Sequence, residues 1–108
     1  MPSLDRRHNL QRGHAAKLIF DIETETEEGR ILIHGERMWA IVAEKIGDVY
    51  VGILDNQPSC FEPNPDVYLC FGAEIPFKAE HVIKIETPPP EYVDWQLSQE
   101  PERLWSRD

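Results

Sequence analysis

The chain has 108 residues, of which 41% are hydrophobic and ten are aromatic, the size and apolar content of one folded domain rather than of a disordered segment. Eleven Lys and Arg against twenty Asp and Glu give a net charge of -9, which disfavours free nucleic acid as a partner, since binding to phosphate backbones is driven by accumulated positive charge. No apolar run approaches the roughly 18 residues of a membrane-spanning helix, and Met1 to Arg12 has no hydrophobic stretch of the signal-peptide kind, so the expected setting is cytoplasmic, with no membrane partner.

The charge is divided unevenly. Met1 to Lys17 carries +3, from Arg6, Arg7, Arg12 and Lys17 against Asp5, and the remainder carries -12. Residues 1–14 show no sustained apolar period and contain Arg6-Arg7-His8, Asn9 and Gly13, so this basic leader is expected to be flexible and to contribute little to the fold. From Lys17 the chain turns into the alternation Asp21-Ile22-Glu23-Thr24-Glu25-Thr26, which favours a strand, with a short helix over Ala15 to Phe20 as the alternative. Glu27 to Arg30 reads as a polar turn, and Ile31-Leu32-Ile33 as a short strand or edge cut off by His34-Gly35.

The central signal is a β-hairpin: Arg37 to Lys45 as one strand, Ile46-Gly47-Asp48 as the turn, Val49 to Leu54 as the return. Trp39, Ile41 and Ala43 fall on one face and Met38, Ala40 and Val42 on the other, so both faces are apolar and the hairpin is placed at the centre of the domain. Gly52 inside the return strand marks a bend, a bulge or close packing under a large side chain such as Trp39. Asp55 to Asp66, broken by Pro58, Pro63 and Pro65, reads as an ordered surface loop. Val67 to Phe71 resumes as a short strand, Ala73 to Phe77 fits an edge strand because Pro76 cannot donate a ladder hydrogen bond, and His81 to Glu86 is the last strand, with Val82 and Lys84 facing opposite Ile83 and Ile85.

Pro88-Pro89-Pro90 then imposes an extended spacer. Beyond it Tyr92 and Trp95, and Val93 and Leu97, have the spacing of a short amphipathic helix. The elements together describe a mainly β fold, a small SH3-like barrel or strongly curved antiparallel sheet over residues 15–87, with residues 88–108 as a proline spacer and aromatic tail packing on it.

Chemistry is sparsely marked. Cys60 with His34 or His81 is the one conceivable nucleophile and base, but nothing around Cys60 resembles a nucleophile elbow or would depress a thiol pKa. His34 reads as a turn residue, His81 as a strand-end residue and Cys70 as a small core residue. Two cysteines without clustered histidines fall short of a zinc site, and no phosphate-binding glycine loop occurs, so no metal or cofactor is expected. Glu23, Glu25 and Glu27 form a carboxylate row of the kind that blocks edge pairing. Trp95 and Trp105 either pack back onto the sheet or serve as partner anchors.

The segments Gly35-Glu36-Arg37-Met38-Trp39, Gly52-Ile53-Leu54-Asp55-Asn56-Gln57-Pro58, Gly72 to Phe77 and His81-Val82-Ile83 resemble, in that order, motifs of a group of small bacterial β-rich domains of unknown function. The resemblance covers about half the chain, from Gly35 to Ile85, and implies a bacterial cytoplasmic β domain without a reaction or cofactor. Its residues read as structural: Gly35, Gly52 and Gly72 for backbone geometry, Trp39 for core mass, Asp55-Asn56 for capping a turn.

The expected function is a non-enzymatic binding or regulatory module that meets another protein through its acidic surface, with Asp55, Asn56, Cys60, Trp95 and Trp105 as the binding residues. Two alternatives stay open: a small enzyme or ligand-binding protein acting on a polar metabolite near the 55–66 loop, and an immunity-type or mimic protein that neutralises a basic partner. A homodimer is possible, in a further reading as a purely structural subunit whose aromatic tail exchanges between protomers.

Overall fold

A computed structural model describes residues 2–59 and 67–106. Five antiparallel strands form one sheet: β1 (Ala15–Glu25), β2 (Ile31–Ile46), β3 (Val49–Leu54), β4 (Glu74–Lys78) and β5 (Val82–Glu86), in the spatial order β4-β3-β2-β1-β5. One turn of 3-10 helix, Ala79–His81, joins β4 to β5. These are the two edges, four strand spacings apart, about 19 Å in a flat sheet. The link from Lys78 to Val82 spans at most about 14 Å, so the sheet must curl. No ladder joins β4 to β5 among the described residues, and the sheet is open.

The hairpin of β2 and β3 lies at the centre as expected, and Met38, Ala40, Ile41 and Val42 are all buried. A bulge at Ala43 separates the Val42–Gly52 and Glu44–Val51 pairs. Gly52 is tightly packed, but under Phe77 rather than Trp39. A Cβ there would stand 3.0 Å from Ala40 Cβ and 3.2 Å from the Phe77 ring. Trp39 is only half-buried and carries the Lys17 ammonium 5.5 Å from its ring centre.

Three expectations along the sheet are corrected. His34-Gly35 does not end a strand: β2 runs through it, and His34 Nε2 lies 2.9 Å from Thr24 Oγ1 within the sheet. Val67 to Phe71 is not a strand but an irregular approach to Gly72, whose φ of 89° lies in the left-handed region that glycine tolerates. In β5 the pairing slips by one residue at Ile83, so Val82 and Ile85 face the core together opposite Leu18 and Ala16, instead of alternating. Pro76 does sit in an edge strand.

The leader departs most from expectation. Ser3 caps a short helix, α1 (Leu4–His8), by accepting from Arg6 N. Leu10 is buried in the core beside Tyr50. The fully buried Tyr50 hydroxyl donates to Arg7 O at 3.0 Å and accepts from Leu10 N at 3.2 Å. Gly13 N donates to Val42 O, and Val42 N to His14 O, extending the pairing of β2 into the leader. Residues 2–14 are thus part of the packed domain, because one apolar side chain and one buried hydroxyl suffice to anchor a short segment.

Candidate binding site

The C-terminal segment builds a cleft at the end of the sheet. Pro90 opens the second helix, α2 (Pro90–Ser98), at its first turn, where the missing N–H costs nothing, so the proline spacer ends one residue earlier than expected. Tyr92 and Gln96, four apart on one side of α2, both donate to Asp55 Oδ1, Gln96 Nε2 at 2.8 Å. Burial, then the hydrogen bond to Asp55 and its negative charge, push the Tyr92 phenol up to about 12.

The expected helix forms with Val93 and Leu97 half-buried, but its one fully buried side chain is polar and its Tyr92 and Trp95 lie outside. The polar Gln96 is 2% exposed, whereas Trp95 next to it is 49% exposed. A carboxylate that accepts from two donors fixes the helix as a hydrophobic seam would, and leaves the aromatic ring outside. Tyr92 flanks that ring, with centroids 5.8 Å apart.

After α2 the tail returns along the start of β4. Glu102 N donates to Gly72 O, Glu74 N donates to Arg103 O, and Ala73 and Arg103 form a parallel bridge. The buried Glu74 accepts from Trp105 N at 3.0 Å. Between α2, the tail and the turn at Gly72 lies a cleft of about 220 Å³, floored by Ile53 and Gln96 and walled by Trp95 and Phe71. Glu100 and Glu102 line it and are exposed.

The residues singled out from sequence are divided by this geometry. Asp55 positions the cleft and Trp95 walls it. Asn56 turns away to accept from Trp39 N at 2.6 Å, while Asp55 N donates to Trp39 O, so the pair closes the end of β3 onto β2. Trp105 is half-buried beside Glu74 and does not line the cleft. Cys60 lies outside the described residues. His81 Nδ1 accepts from Lys78 N within the 3-10 turn, a structural role. Cys70 is half-buried against the core.

Phe71, Gln96, Glu100 and Glu102 were not singled out from sequence. The legible trace of them was a glutamine beside a tryptophan in the helix and two glutamates flanking Pro101. Among the described residues no group of three His, Cys, Asp or Glu side chains gathers closely enough to hold a metal ion, and no helix is long and apolar enough to cross a membrane. Comparison of the chain with known protein families, with curated proteins and with solved structures found no match in any of the three.

Proposed function

We propose that this chain is a non-catalytic binding module that engages a basic protein partner by seating a Lys or Arg side chain in the cleft between α2, the tail and Gly72. The single observation that carries this reading is the half-exposed Trp95 ring standing with Phe71 over a cleft lined by the exposed carboxylates Glu100 and Glu102. Aromatic faces attract a cation, the apolar walls accept its methylene stem, and the carboxylates complement its charge. The net charge of -9 supports the same polarity of partner and would steer it at long range. The strand order, with a 3-10 turn between the two edge strands, supports reading the fold as SH3-like, and the functional reading rests on the cleft rather than on that fold.

The test is a calorimetric titration of the protein with short polylysine and polyarginine peptides at low and high salt. Binding is expected to weaken steeply with salt and to be lost in the double reversal Glu100→Lys, Glu102→Lys, both at exposed positions. A protein that binds neither peptide, or binds with no salt dependence, overturns the reading.

A further inference from the structure

A second surface stands apart from the cleft. β5 pairs with β1 only as far as Leu18, and β3 pairs with β2 only from Ala40 onward. Residues 19–25 and 31–39 therefore run on as a two-stranded ribbon, continuous in register. Cross-strand partners share a face, so Ile19 lies beside Arg37, Glu23 beside Ile33, and Glu25 beside Ile31. On the opposite face Phe20 and Ile22 pack against the core, while Leu32, nearer the tip, is 41% exposed.

On the outward face Ile19, Ile31 and Ile33 are 53%, 66% and 67% exposed. Single exposed apolar residues are ordinary, but here Ile31 and Ile33 adjoin toward the tip and Ile19 stands on the same face, one cross-strand pair (Asp21 and Gly35) beyond them. The charges around them are polarised along the strands. Lys17 and Arg37 stand where the ribbon leaves the sheet, and Glu23 and Glu25 stand toward its tip.

We infer that this face is a contact between two copies of the chain, packed face to face and antiparallel about a twofold axis crossing the ribbon near Asp21 and Gly35. That arrangement lays the Lys17 and Arg37 end of each copy over the Glu23 and Glu25 end of the other, with the isoleucines between them. A uniformly basic partner complements only the tip, and a uniformly acidic one only the base; a second copy complements both. Gly35 has no side chain at the axis, which lets the ribbons approach. Asp21, at the same level on β1, is the one charge set against its own copy. Stable interfaces bury roughly 1,000 Å² or more, so a face only two strands wide is expected to give a weak, concentration-dependent dimer.

Sedimentation equilibrium of the whole chain from about 10 μM to about 1 mM tests this, a range that covers weak association. The apparent mass should rise from 12.5 kDa towards twice that value. The exposed single variants Arg37→Glu and Glu23→Lys should each stay monomeric, and an equimolar mixture of the two should associate, because each then supplies the sign the other lacks. Asp21→Asn should associate more tightly than the parent. A parent chain that stays monomeric throughout, or a dimer that both single reversals leave intact, overturns the inference. Unchanged circular dichroism of the variants separates a lost contact from a lost fold.

Discussion

The two ends of the chain are fastened to the same sheet by different physics. The leader is held by apolar burial at Leu10 and by the enclosed Tyr50 hydroxyl, which satisfies two backbone groups at once. The tail is held by polar bonds: Asp55 accepts from Tyr92 and Gln96, Glu74 accepts from the Trp105 backbone, and Gly72 and Glu74 exchange backbone hydrogen bonds with Glu102 and Arg103. A segment fixed by burial spends its apolar side chain inside the domain. A segment fixed by polar bonds leaves its aromatic ring free, and Trp95 is the ring left outside.

The sharpest way to break this contrast is to delete the apolar anchor. Leu10→Ala should cost about 2–5 kcal/mol of global stability, the range for truncating a buried leucine, measured by urea unfolding. Tyr50→Phe should follow at about 1–3 kcal/mol, because Leu10 N loses its acceptor inside the protein. An unfolding free energy unchanged by both would mean that the leader is not docked.

Asp55→Ala is the matching cut at the other end. It leaves the buried Gln96 amide without its acceptor, at about 1–3 kcal/mol, and the effect should be local. Hydrogen exchange should speed up in residues 90–98 while the central hairpin stays protected. Equal acceleration throughout the sheet would contradict a polar fastening confined to α2.

A smaller effect follows from Tyr92. Its phenol is raised in the folded chain from the ordinary 10 to about 12, so the stability it contributes is fully present below pH 10 and is lost as pH rises through about 12. Absorbance at 295 nm should show a tyrosine titrating near pH 12, absent in Tyr92→Phe. If the titration lost on that substitution lies near the ordinary 10 instead, Tyr92 is detached from Asp55.

How much of this was legible in the sequence depends on distance along the chain. The central hairpin showed itself because alternation on both faces of Arg37 to Leu54 is a local pattern. The edge strand showed through Pro76. The leader did not, because Leu10 is a single apolar residue among polar ones, and its partner Tyr50 is remote in sequence. β2 seemed to stop at His34-Gly35, where a histidine bonded to Thr24 and a glycine on the outward face are both compatible with a strand. Asp55 and Trp95 were legible as candidates by residue type, but their relation was not. It depends on a carboxylate meeting two donors from a helix that starts 35 residues later. The departure of Val67 to Phe71 from a strand depends on the left-handed turn at Gly72, which also makes Phe71 a wall of the cleft.

The central claim is that Trp95 is held outside the core for a ligand. The most direct test is the affinity of Trp95→Ala for polylysine, measured by calorimetry on protein shown by unfolding to be native. The account predicts a stability change below about 1 kcal/mol, as for a surface substitution, with affinity reduced about tenfold or more, the equivalent of roughly 1.4 kcal/mol. A variant that is strongly destabilised, or that is native and binds as tightly as the parent, would contradict it.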